Sequence, residues 1–450
     1  MEVSEKVAIF ASAKCSLQNT FSVKKCSLQN THLIKKCSLQ NTKRSELYVM
    51  ERLFERHDIY LSMVPMDYVR DIMKHIDWDA RLLVIRGPKG VGKSTLMLQY
   101  IKQHFDADDR HVLYCSADTN YFATHTLLEV ADKFSKVGGQ WLFIDEIHKY
   151  PRWSGEVKEI YDLHRDLHIV LSGSSLIQIN DGQADLSRRI LQYDMPGLSM
   201  REFLRLDLGI DVAPISLGQL LEAPNQYCRQ VKSLCRPLEH FPRYLRYGYY
   251  PFYFESKREY YTRLENVINY VVDVELTKHR NMEVGNTRRV KALLQVISQM
   301  TPYEVDIAKL SKATGIMRAT LLKYITNMEE ACLVRRLFTN LQSITDLQKP
   351  DKMYLDNSNL LYALCPQVPE IGTVRETFLA NQLASAGHTV EYAGYKKGDF
   401  RVDGETVVEV GGPDKGFGQI AGHEHAFVAA DGIDSAISGK VPLWAFGFLY

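Results

Sequence analysis

Residues 81–95 read Arg-Leu-Leu-Val-Ile-Arg-Gly-Pro-Lys-Gly-Val-Gly-Lys-Ser-Thr and combine an apolar run with three glycines, two lysines and two hydroxyl side chains. The run Leu82–Ile85 predicts a buried strand, and Leu96–Phe105 predicts a helix. Between them stands Gly87-x-x-x-x-Gly92-Lys93-Ser94, which has the spacing of a phosphate-binding P-loop. Because a P-loop requires the order strand, glycine-rich loop and helix, the segment predicts a nucleotide site.

The chemistry of each residue type explains this spacing. Glycines let successive backbone N–H groups close around phosphate oxygens at the N-terminus of a helix. Lys93 is then predicted to reach the β- and γ-phosphates as a catalytic cation, and the hydroxyl of Ser94 to ligate Mg²⁺. The residues predicted to bind the nucleotide are Gly87, Pro88, Lys89, Gly90, Val91, Gly92, Lys93, Ser94 and Thr95.

A second apolar run, Gln140-Trp-Leu-Phe-Ile-Asp145-Glu146, ends in two carboxylates. Asp145 is predicted to hold the outer shell of the metal, and Glu146 to orient and deprotonate the attacking water. A third run, His168–Leu171, leads into Ser172, whose hydroxyl is predicted to sense the γ-phosphate; ordinary turn chemistry is the alternative. With His111–Ala117, these runs alternate with helical patterns and predict a three-layer α/β fold with a parallel sheet.

The composition limits the classes to which the protein can belong. The 450 residues are 45% hydrophobic and 24% charged, which excludes a disordered or fibrous chain and favours two to four globular domains. The net charge of +1 argues neither for nor against nucleic acid as a partner. No apolar stretch has the length of a membrane helix, the leader is acidic, and the eight Cys form no disulfide pattern. We therefore expect a cytoplasmic protein without a membrane partner.

An exact repeat occupies the N-terminus. The segment Cys-Ser-Leu-Gln-Asn-Thr occurs at Cys15–Thr20, Cys26–Thr31 and Cys37–Thr42, with a period of 11 residues. Such a period can mark a right-handed supercoil, but only one apolar position per repeat is invariant. Identity at every position indicates a tandem DNA repeat translated in frame. Our hypothesis is that residues 1–44 form a disordered basic extension and that the folded chain starts near Glu46.

The sequence resembles the AAA-type ATPases, and more narrowly a prokaryotic group related to archaeal ATPases. Guanine-specific proteins of this architecture usually carry Asn-Lys-x-Asp, which is absent here, so ATP and Mg²⁺ are the predicted cofactors. The resemblance implies that Arg188 or Arg189 acts in trans on a neighbour's γ-phosphate, which requires a homo-oligomer; a solvated basic pair is the alternative. The segments that carry the resemblance are GPKGVGKST, WLFIDEIHKYPRW, IVLSGSS, Leu186–Arg189, Pro196–Phe203 and Arg246–Pro251, in which Tyr249 replaces the usual glycine.

Residues 302–336 have the pattern of a helix-turn-helix inside a winged-helix unit. Ile307–Thr314 predicts a short helix, Gly315 the turn, and the next helix has an apolar face. That face consists of Leu321, Ile325, Met328 and Cys332. The positions predicted to be free to meet a DNA groove are Arg318, Thr320 and Lys323. Packing on the ATPase domain is the alternative role of this unit.

The C-terminal hundred residues resemble the corresponding region of the same ATPase group, a decayed restriction-endonuclease fold. Gly372–Glu376 opens a predicted helix, and two predicted strands contain Asp399 and Glu409. An active nuclease of this type uses these two carboxylates as metal ligands, together with a lysine two positions after the glutamate. Gly411 occupies that position, and Lys415 is expected to lie too far along the chain. The pair is therefore predicted to be a relic.

These observations predict an α/β protein with a P-loop NTPase sheet, a helical lid, a winged helix and a small α/β endonuclease-like domain. The predicted function is Mg²⁺-dependent ATP binding and hydrolysis, coupled to remodelling of DNA or of a protein partner. The alternatives are a slow ATP-dependent switch acting on a protein partner and an ATP-regulated nuclease. The predicted units are a disordered extension (1–44), an AAA-type ATPase core (45–205), a helical lid or linker (206–285), a winged helix (286–345) and a degenerate endonuclease-like domain (346–450).

Overall fold

The computed structural model describes residues 50–174, 186, 188–280, 282–300, 305–339 and 349–450. The repeat-containing extension 1–44 lies outside these residues, as do Glu46, Ser175, residues 302–304 and residues 340–345. Within the described part of the chain, no helix is both long enough and apolar enough to cross a membrane.

Residues 82–194 contain a five-stranded parallel sheet. Its strands are β1 (Leu82–Gly87), β2 (Val112–Ser116), β3 (Trp141–Asp145), β4 (His168–Ser174) and β5 (Leu191–Asp194). The order across the sheet is β2-β3-β4-β1-β5, and every neighbouring pair is parallel. The predicted parallel α/β sheet is thereby confirmed. The edge strand β5 escaped prediction because three of its four residues are exposed, so it lacks an apolar run.

Helices cover both faces of this sheet. They are α1 (50–63), α2 (Lys93–His104), α3 (Leu127–Lys136), α4 (Trp153–Leu163) and α5 (Met200–Leu208). Alternate residues of β1 belong to different cores: Leu83 lies in the larger hydrophobic cluster, and Leu82 and Val84 lie in the smaller one. Because side chains alternate along a strand, this division is what a sheet buried on both faces requires.

Helices also fill the segment that follows. They are α6 (Leu217–Glu222), α7 (Pro224–Lys232), α8 (Pro237–Tyr247), α9 (Tyr260–Tyr270) and α10 (Leu276–His279). A 3₁₀ turn at Pro251–Tyr253 precedes α9, and a π-helical turn at Val271–Glu275 joins α9 to α10. The 3₁₀ turn packs on the P-loop, where a Cβ added to Gly90 would lie 3.0 Å from Cε1 of Phe252.

The predicted helix-turn-helix region contains two helices joined at a glycine. α11 (Thr287–Gln299) precedes α12 (Ile307–Thr314) and α13 (Arg318–Glu330), and Gly315 ends α12 with a φ of 67°. Two antiparallel strands follow, β6 (Val334–Leu337) and β7 (Lys352–Leu355). The predicted apolar face extends too far, since Cys332 lies beyond α13 in a turn with a φ of 54°.

A second five-stranded sheet occupies the C-terminal region, with α14 (Ser358–Leu364) and α15 (Ile371–Ser385) before it. Its order is β12-β11-β10-β9-β8, antiparallel among β8, β9 and β10 and parallel from β10 to β12. The 3₁₀ turn Leu443–Phe448 then packs against α5. The strands are β8 (Val390–Tyr392), β9 (Phe400–Val402), β10 (Thr406–Gly411), β11 (Ala426–Ala430) and β12 (Lys440–Pro442).

Candidate functional site

The predicted P-loop joins β1 to α2 at the carboxyl edge of the first sheet. A Cβ on Gly87 would lie 2.3 Å from the carbonyl oxygen of Met195, so only glycine fits between the two backbones. Gly92 has a φ of 99°, a left-handed conformation that glycine adopts without steric penalty. The chain can therefore turn sharply into α2, with the hydroxyl of Ser94 half-buried in its first turn.

The ammonium group of Lys93 is buried and folds back onto the loop. It donates to the carbonyl oxygens of Gly87 and Pro88, both at 2.9 Å. Burial lowers the pKa of Lys93, and the negative charges of Glu146 and Asp145 partly oppose that shift. The ammonium of Lys93 thus lies at the P-loop, bonded to two carbonyl oxygens. These are weak acceptors that a phosphate would replace.

Asp145 ends β3 and is almost fully buried. Its Oδ2 accepts a hydrogen bond of 2.8 Å from the hydroxyl of Tyr114, and its Oδ1 accepts from the hydroxyl of Ser172. No described lysine or arginine lies within 4.0 Å of this carboxylate. A buried carboxylate that neutral hydroxyls hold in place suits a bound cation, so Asp145 and Ser94 could hold Mg²⁺.

Glu146 follows at once and has a φ of 54°, which turns its side chain away from the line of the strand. Its N–H donates to the hydroxyl of Ser172 at 3.2 Å. Its Oε2 lies 3.2 Å from Nζ of Lys149 and 3.6 Å from Nε2 of His148. Burial raises the pKa of Glu146, but the neighbouring His148 and the charges of Lys89, Lys93 and Lys149 outweigh it, so the pKa is lowered.

Ser172 contacts both members of the acidic pair, and its side chain is fully buried. Its direct partners are therefore Asp145 and Glu146, and its predicted role as a γ-phosphate sensor stays a prediction. The hydroxyl at the tip of β4 belongs to Ser174, which donates to Oε2 of Glu275 at 2.7 Å. No local sequence pattern predicts this contact, because its two residues are 101 positions apart.

A buried arginine supports the site from the N-terminal side, and no sequence pattern predicted it. Arg70 donates to Glu202 on α5 at 2.9 Å and to the carbonyl oxygen of Val91 in the P-loop at 3.1 Å. It also donates to the carbonyl oxygens of Pro196 and Gly197. One guanidinium group thus ties the P-loop to the segment after β5.

Residues 79–204 match the family model of the AAA domain. Together with the sheet order and the P-loop, the match supports an AAA-type P-loop ATPase in this part of the chain, called the AAA-type region below. Residues 238–370 match a second model, a domain of unknown function, DUF8612. This second match includes α9, the π-helical turn and β7.

Among solved structures, the chain is similar to PCH-2 of C. elegans and to a structure concerned with katanin self-assembly, each at 13% identity with a TM-score of 0.23. Both similarities cover 35% of this chain, and they cover 45% and 59% of the other chains, respectively, which is less than two thirds in each case. No curated protein matches the chain.

The two arginines predicted to act in trans lie in a turn before β5, outside the cluster formed by Lys93, Asp145 and Glu146. Arg189 is half-buried, and its Nη2 lies 3.3 Å from Oδ1 of Asp162 on α4. Arg188 is exposed. Arg189 thus pairs within the AAA-type region, and the action of either arginine in trans stays a prediction.

The positions predicted to meet DNA lie on α13. Arg318 and Lys323 are exposed, and Thr320 is half-buried. From Leu321 to Met328, every residue of the helix except Lys323 is buried. In a helix-turn-helix the recognition helix contacts bases mainly with residues near its N-terminus. Arg318, Thr320 and Lys323 lie in the first two turns of α13, and DNA binding stays a prediction.

In the C-terminal sheet the predicted acidic pair lies beside two lysines. Nζ of Lys352 lies 3.3 Å from Glu376 and 3.2 Å from Asp399, and Lys415 pairs with Glu409 at 2.5 Å. These groups lie in and beside a cavity of about 860 Å³. Burial and the charge of Asp399 raise the pKa of Glu376 to about 7, against the charge of Lys352.

Lys415 lies beyond the end of β10, outside the strand geometry of an active nuclease, but its side chain still pairs with Glu409. The chain turns after β10, where the N–H of Lys415 donates to the carbonyl oxygen of Gly412. The Lys415 side chain then crosses Gly411, where a Cβ would lie 2.6 Å from its Cγ. A cation thus accompanies Glu409 after all. However, no three His, Cys, Asp or Glu side chains in the described part of the chain are placed to hold a metal ion.

Proposed function

We propose that this protein binds Mg²⁺–ATP and hydrolyses it. The observation that carries the proposal is the meeting of Lys93, Asp145 and Glu146 at one edge of a parallel sheet. Lys93 follows β1, the two carboxylates end β3, and β4 runs between these strands. Ligands of open α/β sheets bind at this edge, outside the carboxyl ends of the strands.

Each side chain then has a defined task. Lys93 leaves the carbonyl oxygens of Gly87 and Pro88 and binds the β- and γ-phosphates, together with backbone N–H groups of the loop. Ser94 and Asp145 hold Mg²⁺, which supplies positive charge to the phosphates when bound. Glu146, ionised because its pKa is lowered, accepts a proton from the attacking water.

We further propose that turnover acts on a protein partner and that the protein works as a homo-oligomer. DNA is the weaker candidate because Asp306, Glu329 and Glu330 flank the helix-turn-helix region and dilute its positive charge. In such an assembly the exposed Arg188 would be the arginine that acts on a neighbour's γ-phosphate. A nucleotide switch that acts on the partner is the second candidate, and the reach of Glu275 into the site favours it.

The decisive experiment measures steady-state ATP hydrolysis and ATP binding by the full chain and two variants. Lys93→Ala should lose ATP binding, because no other side chain replaces its ammonium at the phosphates. Glu146→Gln should bind ATP but hydrolyse it at least ~100-fold more slowly, since it removes the base and keeps the shape. Tight ATP binding by Lys93→Ala would overturn the P-loop assignment.

Duplex and single-stranded DNA, added at several salt concentrations, complete the measurement. A rate that DNA does not change supports a protein partner. A rate that DNA raises several-fold, with the gain fading as salt increases, would instead assign DNA as the partner.

A further inference from the structure

The polypeptide that follows the AAA-type region enters its nucleotide site. α9 ends at Tyr270, and the π-helical turn Val271–Glu275 carries the chain to the tip of β4. The carboxylate of Glu275 is buried there and accepts the hydroxyl of Ser174 at 2.7 Å. π-helical turns are rare and frequently lie at functional sites.

His148 stands between two carboxylates. Its Nε2 lies 3.6 Å from Oε2 of Glu146 and 3.9 Å from Oε1 of Glu275. Its Nδ1 accepts the N–H of Ser174 at 3.2 Å, so the neutral imidazole carries its proton on Nε2. One N–H group therefore faces two carboxylates, each just beyond hydrogen-bond distance, and a small shift would let it bond to either of them but not fully to both.

The same segment touches the P-loop. The ammonium of Lys89 lies 4.1 Å from the centre of the Tyr270 ring, and that of Lys149 lies 5.5 Å from it. Lys89 is also one of the residues proposed to bind phosphate. A phosphate that attracts Lys89 would weaken its contact with Tyr270, five residues before Glu275. Nucleotide arrival is thereby connected to the position of the π-helical turn.

We propose that Glu275 is a positioning residue for Glu146, and that it acts by competing with Glu146 for the N–H of His148. When Glu275 holds the imidazole, the carboxylate of Glu146 is free to accept a proton from water. When the turn moves away, His148 bonds to Glu146 and holds it back from the water. The inference rests on the proposed ATP hydrolysis, and it makes the segment matched by DUF8612 a regulator of that step.

The raised pKa of Glu275 agrees with a carboxylate that can move. Burial raises the pKa of Glu275, against the hydrogen bond from Ser174 and the charge of Lys89. The charge of Glu275 is therefore poorly stabilised where it lies.

The test compares Glu275→Gln with Glu265→Gln in the full chain. Gln keeps the size of Glu and still accepts from Ser174, but it removes the negative charge facing His148. We expect kcat for ATP to fall about tenfold with KM and ATP affinity unchanged, because orientation of the base is lost while the base remains. Glu265 is exposed on α9, so the same chemical change there should leave both constants at wild-type values.

Two further variants separate positioning from a purely structural role. Glu275→Asp keeps the charge and should recover part of kcat. In a His148→Ala background, Glu275→Gln should have no additional effect, since the shared N–H is already gone. A wild-type kcat for Glu275→Gln, or an equal loss with and without His148, overturns the proposal. A wild-type chain without Lys93-dependent hydrolysis would instead overturn the proposed function itself.

Discussion

At the scale of single residues, His57 shows how burial can outweigh a nearby charge in setting a protonation state. Its ring is 1% exposed, and its Nδ1 accepts the N–H of Tyr114 at 2.9 Å. Burial lowers the pKa of His57 from 6.5 to about 4, against the charge of Asp58 and with a smaller contribution from Arg110. The folded protein therefore keeps this imidazole neutral at pH values where the unfolded chain would protonate it.

This difference predicts a pH dependence of stability. Between pH 6.5 and about pH 4 the unfolded chain binds more protons at His57 than the folded chain. The stabilisation is complete above pH 6.5 and is lost as the pH falls, up to about 3 kcal/mol. His57→Asn keeps an acceptor but cannot titrate, so its free energy of unfolding should fall less over this range. Urea denaturation at a series of pH values measures the difference, and identical slopes for the two proteins would contradict it.

At the scale of elements, the end of β10 depends on the absence of one side chain. Gly411 leaves the space that Lys415 crosses on its way to Glu409, whose carboxylate is fully buried. Without that cation, a buried charge would lack its ion-pair partner in the surrounding cluster. The glycine therefore takes part in a charge arrangement and not only in a turn.

Gly411→Ala should lower the free energy of unfolding by about 2 kcal/mol, because the new Cβ displaces Lys415 and leaves Glu409 uncompensated. Gly418→Ala is the matched control, since a Cβ there meets no atom within 4 Å. Chemical denaturation of both variants measures their free energies of unfolding. Equal stability of the two would mean that Lys415 adjusts without loss of its ion pair.

Elements with a local signal were predictable, and elements defined by distant contacts were not. The P-loop and the strand that ends at Asp145 were predicted because an apolar run and its functional residues are adjacent in sequence. The edge strand β5 has no apolar run, and Lys415 reaches Glu409 only because the chain turns.

The same distinction applies to the candidate site. Lys93, Asp145 and Glu146 were predicted to share one site, and the structure brings them together at one sheet edge. Glu275 and Arg70 were missed, since each acts on residues more than a hundred positions away. No periodicity or motif encodes such pairings.

At the scale of the whole molecule, one hydrophobic cluster crosses the boundaries of the predicted domains. It contains Val91 of the P-loop, Leu293 of α11 and Trp444 after β12. Arg201 on α5 also donates to the carbonyl oxygen of Tyr450 at 3.1 Å. Packed side chains therefore join the P-loop, α11 and the C-terminal sheet in one core.

Assembly gives a prediction at this scale. Lys93→Ala and Arg188→Ala subunits should each be inactive alone, because one lacks ATP binding and the other lacks the arginine supplied to its neighbour. Mixed oligomers contain interfaces with an intact site and an intact arginine, so mixing should restore part of the ATPase rate. Mixtures shown to co-assemble but without recovered activity would exclude Arg188 as the arginine supplied in trans.

The contact between α5 and the turn Leu443–Phe448 also bears on how the protein is made. A Cβ on Gly447 would lie 2.5 Å from Cβ of Met200, so this part of the AAA-type region is covered by residues that the ribosome adds much later. The hydrogen bond from Arg201 to Tyr450 spans 249 positions. During translation the AAA-type region exposes this apolar face until the C-terminal residues are made. Exposed apolar surface on a nascent chain is what chaperones bind.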